Sequence, residues 1–591
     1  MQKEQKEQKE QKEQKEQHYD LVVVGSGGGA LLSAVRAADE GLRVLVLEKS
    51  ELFGGTTAYS GGVLWIPCNY DQAANGVQDD LKTAFSYVKR AAKGLASDER
   101  ILAYVESANS MMEYLRDGVG LPYASLTRYP DYYQQIEGSL KGGRSMDPAR
   151  FDASKLGIDG LKTMRDGNKT ALVLGHICVT AKEAGKVVRR EKGGMTMMMG
   201  IMARYYLDLP WRLKTSRDRS LSGGQALIAA LLTAARKRAG SITMLRQAPM
   251  TELLSEGGKV VGVKYTHKGQ VQEVRSRFVL LAAGGFEQNQ QMREQYLPQP
   301  TNTRWSHTPR GNNTGDAILA AQKLGAQTAL MDKTWGAPSI SVPGEDENRV
   351  VFMERNFPHS MVVNGKAERF TNESQPYPEF QQDMFKSHQA GGKIDPAWFI
   401  FDATFRKRYP IGPLLPGESF PDAIVAKKLK DGFFVKANTL AELAQKIGLD
   451  AAALEKTSAR FNAFAKRGVD EDFGRGNNAF DNYYSDPAVK PNSNLGAIEK
   501  APFYAVKFFP GDIGTKGGLV TDMHARVLGA DAQAIEGLYC IGNSSASVMG
   551  PAYPGAGSTI GPAMTFGFRA VAHMVGQPIA LKNTQWLGLE V

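Results

Sequence analysis

Residues 19–30, YDLVVVGSGGGA, determine the fold. The first half is a short β-branched run, as expected for a buried parallel strand, and the second half matches the GxGxxG/A pattern. Residues 30–40 have helical composition and spacing, and a second apolar run at 44–47 ends at Glu48, about twenty residues beyond the glycines. A glycine-rich loop alone is a weak signal. Strand, loop, helix, strand and acid in this order predict a dinucleotide-binding unit.

The chemistry of that unit follows from the residue types. Glycines permit a sharp turn and let a pyrophosphate approach the helix N-terminus, where unpaired N–H groups and the helix dipole favour negative charge. A carboxylate after the second strand accepts hydrogen bonds from ribose hydroxyls. The predicted contact residues are Gly25, Gly27, Gly28, Gly29, Ala30 and Glu48.

A second glycine-rich segment, KSELFGGTTAYSGG at residues 49–62, argues against a nicotinamide dehydrogenase, which has no obvious need for it. It resembles the flavoprotein pattern in which this loop contacts the FAD diphosphate and the isoalloxazine. The contacts implied by this resemblance are Lys49, Gly54, Gly55, Thr56, Thr57, Ser60, Gly61 and Gly62.

Two later segments extend the resemblance: VLLAAGGFE at 279–287 and GLYCIGN at 537–543. From residue 20 to about 570, the chain resembles the flavoprotein superfamily of fumarate reductase and succinate dehydrogenase. Residues 56–62 lack the histidine that tethers FAD in some members, which implies noncovalent FAD. Further implied cofactor contacts are Ala283, Gly284, Gly542, Asn543, Ser558 and Ile560.

The resemblance also divides the chain of 591 residues, which is too long for one compact core. We expect an α/β fold, with a Rossmann-like FAD-binding domain at 18–291 and 509–591 and an inserted α+β catalytic domain at 292–508. Residues 2–17 repeat Gln-Lys-Glu and have no apolar face. We interpret residues 1–17 as an engineered or incidental low-complexity tail.

Three tyrosines lie in distinctive stretches: Tyr132 in YPDYY (129–133), Tyr377 in RFTNESQPY (369–377) and Tyr553 in AYPGAGSTIGP (552–562). A fumarate reductase requires arginines and a histidine to hold a dicarboxylate, but these positions offer tyrosines. The set resembles the 3-ketosteroid Δ1-dehydrogenases. The choice of Tyr132 over Tyr133 is open.

The resemblance implies FAD-dependent 1,2-desaturation of a 3-ketosteroid. Tyr553 and the N–H of Gly557 would hold the 3-keto oxygen, and Tyr377, assisted by Tyr132, would take the proton from carbon 2. FAD N5 would accept hydride from carbon 1, and an external electron acceptor, a quinone or another oxidant, would reoxidise it. The alternatives are a Δ4-(5α)-type ketosteroid dehydrogenase, a fumarate reductase-like enzyme, or a flavin-binding membrane-surface module without turnover. Lys516 lies either near the flavin or in a solvated turn.

Residues 193–211, GGMTMMMGIMARYYLDLPW, form an apolar, methionine-rich insertion. Across 182–220 there are ten basic against four acidic residues, a large share of the chain's net charge of +10. Apolar helices with basic flanks bind membrane surfaces, so we predict peripheral attachment of a cytoplasmic protein. The alternatives are a helix over the substrate entrance or an oligomer contact.

Composition excludes other classes. The three cysteines are far apart, which predicts neither a disulfide framework nor a metal site. The basic residues flank an apolar segment instead of alternating with aromatics, so we predict no nucleic-acid partner. The oligomeric state is left open.

Overall fold

The computed structural model describes residues 18–169 and 172–590, and the repeat tail at 1–17 lies outside the described residues. Two large sheets dominate this part of the chain. One carries the glycine-rich loop. The other is formed by strands that lie between the segments 279–287 and 537–543.

The first sheet has eight strands. Its parallel part has the order Ile242–Leu245, Val44–Leu47, Tyr19–Val24, Gln270–Leu281 and Ala534–Cys540. The carboxyl ends of Tyr19–Val24, Val44–Leu47 and Gln270–Leu281 meet at one edge, so Gly25, Glu48 and Ala282 become neighbours. The predicted strand, loop, helix, strand unit is confirmed.

The strands of this parallel part are buried on both faces. Leu21, Val23, Val44 and Val46 belong to the core that also contains residues of the helices Gly28–Asp39, Gly223–Lys237 and Ile560–Met574. Val22 and Leu45 face a second core on the other side. Burial on two faces explains why these strands are continuous apolar runs and do not alternate.

Strand Gln270–Leu281 joins two kinds of pairing. Its first part pairs antiparallel with Lys259–His267, which pairs with Met250–Glu256, and its last residues pair parallel with Tyr19–Val24. The chain therefore returns, at residue 282, to the edge of the sheet where Gly25 and Glu48 lie. The closing strand Ala534–Cys540 pairs beside it and is extended by Arg526–Leu528.

The second sheet has six strands, all antiparallel. They are Arg349–Val350, Thr334–Ile340, Phe503–Thr515, Ala397–Phe401, Ser360–Val363 and Phe434–Ala437. Strand Phe503–Thr515 spans the expected boundary at 508 and leads the chain back toward the first sheet.

The remaining elements are helices and short strands in small sheets of two or three strands. The other helices are Gly55–Tyr59, Leu81–Ala92, Asp98–Tyr114, Ile158–Thr163, Ala181–Val188, Gly194–Leu207, Leu209–Arg212, Gln290–Tyr296, Asp316–Gln322, Tyr377–Gln389, Ala403–Arg408, Lys427–Gly432, Leu440–Ile447, Ala451–Arg467 and Ala479–Tyr483. The short strands are Leu64–Trp65, Tyr123–Ser125, Ser145–Pro148, Phe151–Asp152, Leu172–Val173, Ile177–Cys178, Ser220–Leu221, Thr328–Ala329 and Gly518–Leu519.

Candidate active site

A cavity of about 1050 Å³ runs between the two large sheets. Its lining includes the glycine-rich loop, the three tyrosines and apolar residues such as Val188, Met198 and Leu415. The predicted residues that line it are Tyr132, Tyr377, Tyr553, Gly557, Gly25, Gly27, Gly28, Gly29, Ala30, Glu48, Lys49, Gly55, Thr56, Thr57, Ser60, Gly61, Gly62, Ala283, Gly284, Gly542, Asn543 and Ile560. Most of the predicted residues therefore meet at one cavity.

Two predicted cofactor contacts do not line this cavity. The backbone N–H of Gly54 donates to Ser26 Oγ over 3.0 Å, and the Ser558 hydroxyl closes a turn by donating to the carbonyl of Gly555 over 2.7 Å. Both residues shape loops that carry cavity-lining neighbours.

The cofactor end has the donors and acceptors that the motif predicts. The helix Gly28–Asp39 has no side-chain cap at Gly27, and the N–H of Gly28 donates to Thr57 Oγ1 over 3.0 Å. The N-terminus of this helix lines the cavity, where the helix dipole favours an anion. Gly25 has φ +111°, and a Cβ there would lie 2.3 Å from the carbonyl oxygen of Ala282. Glu48 Oε2 accepts from Ser26 Oγ at 2.5 Å, and Oε1 accepts from the N–H of Ser50 at 2.8 Å. A pyrophosphate at the loop and a ribose at Glu48 fit this arrangement.

We expect Glu48→Ala to weaken flavin binding. Hydrogen bonds to a charged group are worth about 1.5–3 kcal/mol, which corresponds to a roughly 10- to 100-fold higher Kd for FAD. Fluorescence titration of the apoprotein with FAD measures this change. The matched control is Glu51→Ala, an exposed acid three residues away. Equal FAD affinity in wild type and Glu48→Ala would contradict the assignment of Glu48.

The three tyrosines come from three separate elements. Tyr132 lies in the loop between Tyr123–Ser125 and Ser145–Pro148, Tyr377 begins the helix Tyr377–Gln389, and Tyr553 lies in the loop before Ile560–Met574. The hydroxyls of Tyr132 and Tyr377 are 3.0 Å apart. The ring of Tyr553 lies 5.3 Å from that of Tyr132 and 5.2 Å from that of Tyr377, between centroids.

The adjacent residues Tyr132 and Tyr133 have different partners in the structure. Tyr132 contacts Tyr377, whereas the hydroxyl of Tyr133 donates to Glu379 Oε1 over 2.7 Å. Tyr132 therefore holds the place beside Tyr377.

All three phenols are buried. Burial, and then the neighbouring Tyr553, raise the pKa of Tyr377 well above its ordinary value. Burial raises the pKa of Tyr553 as well, and this is opposed by hydrogen bonds from Tyr377, from Thr559 and from the N–H of Gly557. The phenols are thus neutral donors near pH 7 unless a charge stabilises a tyrosinate.

Gly557 occupies a position that no other residue fits. Its φ is +100°, and a Cβ there would lie 2.4 Å from the backbone nitrogen of Trp65. This close approach brings the backbone of 555–558 against the strand Leu64–Trp65. The N–H of Gly557 is thereby held beside the Tyr553 hydroxyl.

Several cavity residues were not predicted from the sequence. Asn313 lines the cavity, and its amide donates to Thr56 Oγ1 over 2.8 Å and to Glu287 Oε1 over 2.7 Å. His307 and Asn312 also line it. The signal that could have found the two asparagines is the glycine-rich stretch RGNNTGD at 310–316.

Similarity to known proteins shows which family the chain belongs to. The profile of the family described as FAD binding domain matches residues 20–560. A 3-oxosteroid 1-dehydrogenase from Comamonas testosteroni is 46% identical over 97% of this chain and 99% of its own length. The chain belongs to the 3-oxosteroid 1-dehydrogenase family. A member from Mycobacterium tuberculosis (strain ATCC 25618 / H37Rv) is 41% identical, with 95% of this chain and 98% of that protein covered.

A solved structure of this family agrees with the fold. The 3-ketosteroid delta1-dehydrogenase from Sterolibacterium denitrificans, in complex with 1,4-androstadiene-3,17-dione, superposes with a TM-score of 0.91 at 48% identity. The superposition covers 95% of this chain and 99% of the Sterolibacterium denitrificans chain. The predicted α/β fold, the family and the FAD cofactor are confirmed.

The apolar insertion forms the helices Gly194–Leu207 and Leu209–Arg212. Met198 lines the cavity, whereas Met195 and Leu207 are exposed. Several of the basic residues in this region are engaged: Arg190 pairs with Glu418, and Arg204 with Asp218. Within residues 18–169 and 172–590, no helix combines the length and the apolarity needed to cross a bilayer.

Proposed function

We propose that this protein introduces the carbon 1,2 double bond into a 3-ketosteroid. The observation that carries the proposal is the meeting of Tyr132, Tyr377, Tyr553 and Gly557 in one cavity with the FAD loop. FAD, when bound, supplies the hydride acceptor for carbon 1. The reaction would also need an external electron acceptor, a quinone or another oxidant.

The donors Tyr553 O–H and Gly557 N–H would hold the 3-keto oxygen. Loss of a proton from carbon 2 places negative charge on that oxygen, and donors fixed in advance stabilise the charge without a full cation in an apolar cavity. The positive φ at Gly557 and the contact with Trp65 fix the N–H. Both donors belong to one short loop, 550–559.

Tyr377 would remove the proton from carbon 2. Because burial raises its pKa, the base needs help to exist as a tyrosinate. The Tyr132 hydroxyl at 3.0 Å can donate to it. The buried guanidinium of Arg355 interacts electrostatically with both phenols and bonds to the carbonyl of Gln375 at 2.5 Å. A tyrosine pair beside a cation is therefore the proposed proton acceptor.

Anaerobic mixing of the FAD-loaded protein with a saturated-ring-A 3-ketosteroid tests this proposal. We expect bleaching of the flavin absorbance and a product with the new double bond at carbons 1 and 2. A product with the double bond at carbons 4 and 5 would favour the Δ4-(5α) alternative, and turnover of a dicarboxylate the fumarate reductase-like one. A flavin that stays oxidised with every substrate would favour a binding module.

We also propose that residues 292–508 form the catalytic domain and that 18–291 and 509–591 form the FAD-binding domain. Tyr377 comes from the first of these regions and Tyr553 from the last. The steroid would lie between them, as ligands often do at domain interfaces.

A membrane surface is the second part of the proposal. Leu207, Leu209 and Leu213 have exposed fractions of 77%, 63% and 90%. Lys214 follows Leu213 and Lys192 precedes the helix Gly194–Leu207, and both lysines are exposed. Apolar side chains of this kind enter the acyl boundary while cations meet anionic headgroups. Met198 lies on the helix Gly194–Leu207 together with Leu207, and it lines the cavity. An apolar substrate would therefore enter the cavity from the membrane.

Vesicle sedimentation tests the surface. We expect the variant Leu207→Ser, Leu209→Ser, Leu213→Ser to lose most of its binding to vesicles of anionic phospholipid, with turnover of a soluble steroid retained. The control is Leu95→Ser with Val271→Ser, which removes exposed apolar side chains elsewhere. Undiminished sedimentation of the triple variant would contradict attachment through this segment.

A further inference from the structure

The peptide bond between Ala552 and Tyr553 is held from both sides by buried side chains. Its carbonyl oxygen accepts from Lys516 Nζ at 2.7 Å. Its N–H donates to the hydroxyl oxygen of Tyr133 over 2.8 Å. The backbone that sets the direction of the Tyr553 side chain is thus fixed by two residues outside its own loop.

One of these two residues, Tyr133, also bonds to a buried carboxylate. Tyr133 donates to Glu379 Oε1, and Glu379 follows Tyr377 by two residues on the helix Tyr377–Gln389. Among the described residues, Glu379 Oε2 has no hydrogen-bond partner although it is buried. The loop 129–133 therefore contacts this helix twice, through Tyr132 to Tyr377 and through Tyr133 to Glu379.

Lys516 completes the arrangement. It is buried, bonds also to the carbonyl of Pro551, and lies 4.5 Å from the ring centroid of Trp335. Trp335 in turn packs against Tyr553, with 5.1 Å between ring centroids. Both hydrogen bonds of the Lys516 side chain therefore go to the backbone of 551–552, and the ring that it contacts packs on Tyr553.

Burying an ammonium and a carboxylate is costly unless both are compensated. Burial lowers the pKa of Lys516 to about 7, against the attraction of Glu379. Burial raises the pKa of Glu379, against the hydrogen bond from Tyr133 and the attraction of Lys516. Neither side chain lines the cavity, so a direct role on the substrate does not account for them.

We propose that Tyr133, Glu379 and Lys516 are positioning residues that hold the Ala552–Tyr553 peptide bond and thereby aim the Tyr553 hydroxyl at the 3-keto oxygen. The inference rests on the proposed function. Their effect on the rate must therefore pass through Tyr553.

A double-mutant cycle tests this claim. We expect Tyr133→Phe to lower kcat roughly tenfold with KM changed less than about twofold, because the interaction matters in the transition state. In a Tyr553→Phe background the same change should lower kcat less than about twofold, because residues acting through one group are not additive. FAD content is measured in each variant.

A second variant pair keeps the test independent of Tyr133. Glu379→Gln retains an oxygen that accepts from Tyr133, whereas Glu379→Ala removes it. We expect Glu379→Gln to keep several-fold more of the wild-type kcat than Glu379→Ala. The matched control is Tyr504→Phe, which removes another buried phenol-to-carboxylate bond, to Asp422 at 2.8 Å, and should leave kcat near wild type.

Failure of this inference differs from failure of the proposed function. Full wild-type kcat in Tyr553→Phe itself would reject the donor role of Tyr553. A large loss in Tyr553→Phe that Tyr133→Phe multiplies by its whole single-variant factor would reject the positioning role alone. Wild-type kcat in both Tyr133→Phe and Glu379→Ala would reject it as well.

Discussion

Tyr377→Phe is expected to reduce turnover of a 3-ketosteroid by about two to four orders of magnitude, the range typical for loss of a general base. The ring that packs against Tyr132 remains, with 5.4 Å between centroids in the wild type, so the cavity keeps its shape. The flavin spectrum and the steroid Kd should change little. Stopped-flow measurement of flavin reduction under anaerobic conditions isolates the affected step.

The pH dependence should follow from the same group. The pKa of Tyr377 is raised by burial, so the tyrosinate fraction and hence the rate of flavin reduction should increase as the pH rises from neutral. Tyr377→Phe should abolish that increase. The control Tyr484→Phe removes another phenol of the same cavity and should retain it. Near-normal reduction in Tyr377→Phe would exclude Tyr377 as the base.

Tyr553→Phe is expected to lower kcat by roughly a hundredfold, because removal of one oxyanion donor typically costs about 3 kcal/mol. The loss should appear in kcat more than in KM, since charge develops on the oxygen only in the transition state. Stacking of the ring on Tyr132 is preserved. Steady-state kinetics with product identification measures the effect.

A companion variant separates the two donors. Gly557→Ala would place a Cβ 2.4 Å from the backbone nitrogen of Trp65, so the loop must shift and the N–H with it. We expect a loss of kcat comparable with that of Tyr553→Phe, with FAD still bound. An unchanged kcat in Tyr553→Phe would contradict the donor role.

Much of the fold could be predicted because its signals are local. The strands at 19–24 and 44–47 are buried on both faces, and this produces the continuous apolar runs that the sequence shows. The segments at 279–287 and 537–543, which carried the resemblance, pair in the same sheet. Turn glycines and apolar runs are short-range features, so they can be recognised in a single sequence.

Contacts made by tertiary packing could not be predicted in this way. Tyr132 and Tyr133 are adjacent in YPDYY, and only their packing shows that one reaches Tyr377 and the other Glu379. The sequence allows Lys516 either a place near the flavin or a solvated turn. It is buried against Trp335 and the backbone of 551–552. Sequence spacing carries no information on such partners.

The sequence also overestimates the number of arginines around the insertion that are free to meet a membrane surface. Counting residues treats every arginine as a free surface cation. In the structure, Arg217 bonds to the carbonyls of Leu161 and Met164, at 2.7 and 2.9 Å, and Arg219 pairs with Asp152. Exposed leucines and lysines therefore carry the membrane proposal, and the net charge of the segment contributes less.

The most direct test of the central claim is a crystal structure of the FAD-loaded protein with a 3-ketosteroid bound. The account predicts that the 3-keto oxygen lies about 2.7–3.1 Å from both the Tyr553 hydroxyl and the N–H of Gly557. Carbon 2 should face the hydroxyl of Tyr377. A ring-A carbonyl that points away from Tyr553, with the flavin bound at the glycine-rich loop, would contradict it.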